Sequence, residues 1–412
     1  MRRALALLSL LLAGCSTRER LNPLDPQNAA TGGRPPSFAA LAENAQVFLT
    51  WSAGSSTQPL EYQLFRQAEG EADYQPLTAI LPQSVSSYLD LGLVNGVTYR
   101  YRLYFVVGGQ LSGAPSEDIA TPSTVIPWVA DDQTLSLYRM SADGRQPATQ
   151  ATGFAGPTDC RVDPISHVVW VADEGGGRVV VFNPGLGSGL SIRGLGDPTY
   201  LAVDAVRGTA WVSTVFGGEV FQLQPDGSFG TPASISPLQA PAGIDVDPAD
   251  QSLWVCERRS NTVRHFDSLG NLLHATAVSA PLRVAVDTSN GEAWVSCFDT
   301  RQVVHLAASG APVDTVSGFQ GPLGIAVDEA RGRIWVADPV AGQVVALRRN
   351  GSVEFRVSGL PGASALAVED VSGEAWAVMT GTIARVSGTG ATILFAKGLR
   401  DPVAITLDRF AP

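Results

Sequence analysis

The four histidines are the side chains best suited to acid–base or metal chemistry, and their positions separate them. His167 lies in a predicted turn, His265 and His305 each lie in a predicted strand, and His274 follows a turn. An enzyme site needs an acid, a base, a nucleophile or metal ligands held close together. No Ser-His-Asp order and no Gly-rich phosphate loop accompanies these residues. The sequence therefore predicts no catalytic site, no metal ion and no cofactor.

Cys15 is the residue for which the sequence predicts a specific covalent modification. It follows two positive residues, Arg2 and Arg3, and a ten-residue apolar run, Ala4–Ala13. A membrane-spanning helix needs about 20 apolar residues, so this run is typical of an export signal. The residues Leu12-Ala13-Gly14-Cys15 resemble a bacterial lipobox.

The lipobox resemblance implies an exported, membrane-anchored protein. Residues 1–14 would be the signal peptide, Cys15 would carry a diacylglycerol on Sγ, and residues 15–35 would form a flexible tether. Ser16 replaces the aspartate that retains lipoproteins in the inner membrane, which favours the outer membrane. An ordinary signal peptide followed by a chance cysteine is the alternative.

The remaining cysteines are Cys160, Cys256 and Cys297, and all three fall within strand patterns. Sister repeats carry small or apolar residues at these positions, which favours buried thiols. Export also makes disulfides possible, so a Cys256–Cys297 bridge is the alternative.

Composition favours an all-β chain and argues against nucleic acid as a partner. Gly and Pro number 43 and 27, and 45% of the residues are hydrophobic. Short apolar runs separated by turn residues are typical of sandwiches and propellers. The net charge is −11, and no cluster of cations could follow a phosphate backbone.

Residues 36–122 have the pattern of a small β-sandwich. Tyr99–Val107 alternates apolar and polar side chains with the period of a half-buried strand. The segment from Leu93 to Tyr99 resembles the tyrosine corner of fibronectin type III domains, and Trp51 falls where that family keeps its core tryptophan. The resemblance implies a fibronectin type III-like domain that acts as a spacer.

From residue 125 onward the sequence repeats every 40 to 43 residues. Each repeat contains a strand with a tryptophan, here called the Trp strand. The seven tryptophans are Trp128, Trp170, Trp211, Trp254, Trp294, Trp335 and Trp376. Before most of them lies a leading strand such as Pro322-Leu-Gly-Ile-Ala-Val-Asp328. Strands repeating at this interval are typical of propeller blades.

The repeat resembles NHL-repeat and related NHL-like propellers, which implies seven blades over residues 125–412. The first repeat lacks a leading strand, whereas the chain ends in an unpaired one, Asp401–Asp408. We therefore expect the C-terminal strand to complete the first blade and close the ring. The fold class predicted is all-β, a fibronectin type III-like sandwich followed by a seven-bladed propeller.

The repeated side chains have structural interpretations. The tryptophans are expected to pack between blades. Aspartates that end leading strands are expected to cap tight turns. These aspartates are Asp163, Asp204, Asp247, Asp287, Asp328 and Asp408. Asp245-Val-Asp247-Pro-Ala-Asp250 resembles a calcium loop, but it lacks the glycine and the distal glutamate.

The candidate binding site follows from the resemblance, which implies that NHL-like propellers bind ligands on one loop face. That face is built by the loops before the leading strands and after the Trp strands. Side chains that depart from the repeat there are the candidate site residues, because loops carry function. They are Tyr200, Phe216, Arg258, Arg259, Arg283, Phe298 and Arg301.

Two classes of function remain open. The favoured one is a non-catalytic scaffold whose loop face binds a protein, peptide or glycan. The alternative is a propeller enzyme, similar to streptogramin lyases or gluconolactonases, with an unrecognised metal-dependent site. In the streptogramin lyases a histidine and a glutamate on the loop face do the chemistry, and no histidine here matches such a loop.

Overall fold

The structure is a computed structural model that describes residues 22–53, 60–183 and 188–410. Its regular elements are all β-strands. The chain divides into two compact units, residues 1–123 and 124–412. No helix in the described ranges has the length and apolarity needed to cross a membrane. Cys15 and the predicted signal peptide lie outside the described residues.

The first unit contains a three-stranded and a four-stranded antiparallel sheet, in the orders β1-β2-β5 and β4-β3-β6-β7. Their strands are β1 (Ala39–Glu43), β2 (Gln46–Thr50), β3 (Glu61–Ala68), β4 (Gln75–Pro76), β5 (Ser87–Leu91), β6 (Tyr99–Val107) and β7 (Gln110–Ala120). The described part of the predicted tether, residues 22–35, forms successive turns. Asn28 is buried there, and Pro35 O accepts a hydrogen bond from Ser116 Oγ of β7.

The core of the first unit is aromatic. Trp51, Tyr62 and Phe105 are buried in succession, with ring centroids 5.7 and 5.8 Å apart. At the start of β6, the hydroxyl of Tyr99 accepts a hydrogen bond of 3.0 Å from the Val94 amide. This is the backbone contact that the tyrosine-corner pattern predicts.

The second unit consists of seven four-stranded antiparallel sheets. Its first strands are β8 (Val125–Asp131), β9 (Ser136–Met140), β10 (Pro147–Thr152), β11 (Pro157–Val162), β12 (Val169–Asp173), β13 (Arg178–Asn183), β14 (Ser188–Arg193), β15 (Pro198–Asp204), β16 (Thr209–Thr214), β17 (Glu219–Leu223) and β18 (Phe229–Ile235). They continue with β19 (Pro241–Asp247), β20 (Ser252–Glu257), β21 (Thr262–Phe266), β22 (Leu272–Ala277), β23 (Arg283–Asp287), β24 (Glu292–Cys297), β25 (Gln302–Leu306) and β26 (Pro312–Val316). The last are β27 (Ile325–Asp328), β28 (Arg333–Asp338), β29 (Gln343–Arg348), β30 (Val353–Ser358), β31 (Ala365–Glu369), β32 (Glu374–Met379), β33 (Thr382–Val386), β34 (Thr392–Phe395) and β35 (Pro402–Arg409).

The leading strands of the seven sheets form a closed ring. They contact one another in the order β11, β15, β19, β23, β27, β31 and β35, and β35 contacts β11 again. The C-terminal strand β35 pairs antiparallel with β8, so it supplies the leading strand that the first repeat lacks. This is the pairing predicted from the sequence. Closure leaves no free edge at the inner side of that sheet.

The tryptophans pack between neighbouring sheets, as predicted. Trp254 lies in a buried cluster with Val284 and Val295 of the following sheet. Trp376 of the last sheet is buried with Val129 and Ile405 of the sheet that β35 completes. Because each tryptophan joins two sheets, the apolar core runs continuously around the ring.

The aspartates at the ends of leading strands cap turns, as predicted, at several positions. Asp163 Oδ1 accepts from the Ile165 amide at 2.9 Å, and Asp247 Oδ1 from the Ala249 amide at 2.9 Å. Asp408 differs, because its Oδ1 lies 2.6 Å from the Nδ1 of His167 in the adjacent sheet. These turns form the face of the ring opposite the loop face.

Candidate functional site

Buried carboxylates at the ends of the Trp strands hold the loop face together. The loop face consists here of the loops before the leading strands and after the Trp strands. Asp173 Oδ1 accepts from the Ala155 and Gly156 amides at 2.8 and 2.9 Å. Glu257 Oε1 accepts from the Gln239 amide at 2.8 Å, and Asp131 Oδ2 from the Arg400 amide at 2.8 Å. These acids therefore support the loops and are not exposed for a ligand.

Three predicted site residues project from loops of the face. Phe216 follows β16 and is 84% exposed, with its amide held at 2.6 Å by Asp197 Oδ2. Arg258 and Arg259 follow β20 and are both exposed. Arg258 Nη2 lies 3.0 Å from Asp299 Oδ2 of the next sheet, with both side chains about half exposed. An exposed pair of this kind contributes little to stability, so Arg258 stays available to a partner.

Phe298 and Arg301 belong to the turn after β24. Phe298 is half-buried and lies against Gly321, where an added Cβ would come within 2.7 Å of its ring. Arg301 is exposed and has a positive φ of 60°. Its amide donates to Phe298 O at 3.2 Å, which closes the turn. Phe298 therefore packs one side of its ring against the loop that contains Gly321 and leaves the other side partly exposed to solvent.

Glu257 directly precedes Arg258 and Arg259 in the chain but is not a surface partner for them. It is buried, and its Oε2 lies 2.9 Å from Arg264 Nε and 2.8 Å from Ser260 Oγ. Glu257 therefore does not neutralise Arg258 or Arg259, because strand β20 turns its side chain inward.

Arg283 and Tyr200 lie at the central channel, near the starts of the leading strands β23 and β15. The guanidinium of Arg283 stacks over the Tyr200 ring at 4.0 Å from the centroid. Its Nη1 lies 3.7 Å from Asp159 Oδ2, on the other side of Tyr200 around the ring. Gly243 of the intervening strand makes this reach possible, because a Cβ there would come within 2.6 Å of Arg283 Cα. Arg283 therefore crosses part of the channel.

A second layer of charged side chains lines the channel, farther from the loop face than Arg283 and Asp159. In each leading strand, the positions two and four residues before the terminal acid project to the same side, toward the channel. The deeper of these positions carries Arg161 in β11 and Asp245 in β19, whereas other repeats have alanine or threonine there. Arg161 Nη1 lies 3.6 Å from Asp159 Oδ1. Burial raises the pKa of Asp245 to about 6, although the Val286 amide and Arg161 oppose the shift.

Asp159, Arg161 and Asp245 were not predicted as site residues. Alanine or glycine is the common residue at these two positions of the leading strands. A charged residue there is the sequence signal that could have identified Asp159, Arg161 and Asp245. The family resemblance implies binding on loops, whereas the channel is lined by strands.

The histidines lie away from the loop face, as the sequence predicts. His265 stacks on Trp254 at 4.0 Å and His305 on Trp294 at 4.0 Å. Burial lowers the pKa of His265 to about 4, so its imidazole is neutral at pH 7. Among the described residues, no group of three or more His, Cys, Asp or Glu side chains could hold a metal ion.

The three described cysteines are buried free thiols. This confirms the interpretation of Cys160, Cys256 and Cys297 as core residues and excludes the alternative bridge in this structure. Burial raises the pKa of Cys160 and Cys297 to about 12, so both resist oxidation and metal binding.

The sequence matches no protein-family model and no curated protein. Solved structures with a similar fold include a functionally unknown protein from Desulfotomaculum acetoxidans, at 15% identity, a TM-score of 0.59, and coverage of 69% of this chain and 99% of that one. Hydrazine synthase from Kuenenia stuttgartiensis is similar at 12% identity and a TM-score of 0.55, covering 63% and 97%. A catalytically inactive virginiamycin B lyase from Staphylococcus aureus with quinupristin is similar at 14% identity and a TM-score of 0.51, covering 58% and 84%. At these identities the likeness concerns the fold alone, and it shows that the chain contains a β-propeller.

Proposed function

We propose that this protein is a cell-envelope lipoprotein in which a fibronectin type III-like domain and a seven-bladed NHL-like propeller display one binding face. The lipobox-like residues ending at Cys15 support lipid anchoring, with the outer membrane as the favoured location. Two acyl chains or more are needed for stable anchoring, which a modified N-terminal cysteine can supply.

The loop face is the surface that binds a protein, peptide or glycan partner. The observation that carries this proposal is the exposure of Phe216 and Arg258 on consecutive sheets, with Phe298 and Arg301 on the third. Phe216 is 84% exposed, the highest fraction among the large apolar side chains of the described residues. Aromatic and arginine side chains dominate the energetics of protein interfaces.

The binding is proposed to be non-catalytic. Three of the four histidines support this, because each has a ring nitrogen within hydrogen-bond distance of another side chain of the second unit. His265 Nε2 lies 2.8 Å from Ser252 Oγ, His305 Nε2 lies 2.9 Å from Glu292 Oε2, and His167 is bonded to Asp408 on the opposite face. A general acid or base must reach the substrate, and these groups do not face the candidate site.

The test is capture of partners from envelope extracts on the immobilised protein, followed by affinity measurement with the purified partner. Phe216→Ala or Arg258→Ala should weaken binding by about 2 kcal/mol or more if either residue is a hot spot. Ile165→Ala is the matched control, since Ile165 is 70% exposed on the opposite face. Loss of binding in the control alone, or in none of the variants, would contradict the proposed site.

A further inference from the structure

The turn after the Trp strand has a common backbone feature in the described part of the second unit. In each sheet, the residue directly before the next strand has a positive φ, between 51° and 73°. Glycine and asparagine adopt this conformation most readily, and they occupy most of these positions. They are Gly177, Gly218, Asn261, Gly342 and Gly381. Arg301 and Leu135 occupy the other two positions, at a conformational cost.

The Arg301 side chain does not stabilise the turn in which it lies. It is exposed, and no hydrogen bond or ion pair with another described residue holds its guanidinium. Asn261 differs at the same turn position, because its Oδ1 accepts from the Ala280 amide at 2.8 Å and so supports the neighbouring loop. Side chains kept in a costly backbone conformation are concentrated at functional sites. Leu135 shares the conformation but carries no charge, so the charge of Arg301 is the feature that points to a partner.

The turns after β20 and β24 carry positive charge that their own acids do not balance. Arg258 is paired with Asp299 at 3.0 Å, whereas Arg259 and Arg301 are exposed and have no ion pair within the described ranges. Glu257 is buried and is already paired within its own sheet. The chain as a whole has a net charge of −11, so this surplus of positive charge is local. Arg258, Arg259 and Arg301 are named here the basic region of the loop face.

Acidic side chains lie together on other loops of the same face. Burial and the nearby carboxylates of Asp197 and Asp132 raise the pKa of Glu174. These three acids belong to loops beside β8, β12 and β15, in the first three sheets, whereas the basic region belongs to the fourth and fifth. Charges of one sign attract a partner of the opposite sign and repel one of the same sign. An acidic segment would therefore be directed to the basic region.

We propose that Arg301 and Arg259 determine the specificity of the loop face by binding aspartate or glutamate side chains of an acidic peptide segment in the partner. A guanidinium donates charge-assisted hydrogen bonds to a carboxylate and matches its planar shape. Phe298, partly exposed in the same turn as Arg301, adds an apolar surface for the chain of such a segment. The inference rests on the proposed function, because it names the class of partner that the loop face binds.

The experiment is a fluorescence anisotropy titration of the full chain with a labelled, blocked octapeptide of alternating glutamate and glycine. Binding should be saturable at low salt, should weaken as NaCl is added, and should be absent with the matching glutamine peptide. Arg301→Gln and Arg259→Gln should each weaken binding by at least about fivefold, and Arg301→Lys, which keeps the charge, should weaken it less. Arg348→Gln is the charge control and should bind like the parent protein, since Arg348 is 58% exposed at the end of β29 that is far from the loop face.

Arg301→Gly separates binding from the structure of the turn. Its melting temperature should equal or exceed that of the parent protein, because glycine adopts a positive φ freely, yet it should bind the glutamate peptide at least about fivefold more weakly. Leu135→Gly is the matched control, with the same backbone change and unchanged peptide affinity.

Retained affinity in a folded Arg301→Gly protein, a lower melting temperature of that variant, or equal binding of the glutamine peptide would overturn the proposal. Tighter binding of a sulfated hexasaccharide that is lost in Arg301→Gln would assign the basic region to a sulfated glycan instead. The titration needs no captured partner. It can therefore fail while capture on the loop face succeeds, and the two failures are distinguishable.

Discussion

Closure of the ring by β35 is the structural feature whose loss should have the largest effect on stability. Ile405 of β35 is fully buried among Val129, Trp376 and Ile383, which come from the sheets on both sides of the closure. Replacing a buried isoleucine by alanine costs about 2–5 kcal/mol, from lost burial and from the cavity that remains. We therefore expect Ile405→Ala to lower the free energy of unfolding by that amount.

Deleting residues 400–412 should be more severe. The deletion removes Ile405 and the partly buried Val403 and Leu407, together with the pairing between β35 and β8. Each fully buried aliphatic side chain is worth about 1.5–3 kcal/mol, so the apolar loss alone is roughly 3–6 kcal/mol. A domain is stable by about 5–15 kcal/mol, and the truncated ring should therefore be largely unfolded or aggregated.

Urea unfolding followed by tryptophan fluorescence measures this effect, because seven of the eight tryptophans lie in the second unit. Ile393→Ala is the matched control, since Ile393 lies on the outer strand β34 and is 49% exposed. Its free energy of unfolding should change by no more than about 0.5 kcal/mol. Equal effects of the two isoleucine substitutions, or a deletion that unfolds at the same urea concentration as the full chain, would refute the reasoning.

Three further predictions concern the anchor and the channel. Cys15→Ala should move the protein from the membrane to the soluble fraction on cell fractionation, and unchanged membrane association would contradict lipidation. Asp245→Asn should remove a pH dependence of stability, because the folded-state pKa of Asp245 is raised to about 6. The parent protein should therefore gain stability relative to the variant as the pH falls from 7 to 5. Melting temperatures of the two proteins across this pH range measure the effect. Gly243→Ala should lower the free energy of unfolding in urea by about 1–3 kcal/mol, because its Cβ would lie 2.6 Å from the backbone of Leu282 and Arg283; an unchanged value would show that the two strands can separate without cost.

Much of the fold could be predicted from local patterns. A tryptophan every 40 to 43 residues and a leading strand before it define the repeated sheet, because burial and turn formation act over short distances. The missing first strand and the unpaired last one predicted that β35 would pair with β8. The Tyr99 hydroxyl contact was also predictable, since it joins residues only five positions apart.

The arrangement around the channel depended on tertiary structure. Arg283 and Asp159 lie more than a hundred residues apart and meet only because the ring closes and Gly243 lets two strands approach. The inward turn of Glu257 and the pairing of Arg258 with Asp299 likewise depend on how neighbouring sheets align. Sequence periodicity determined which side of each strand faces the channel, but the distances between sheets are set by the packing of the whole ring.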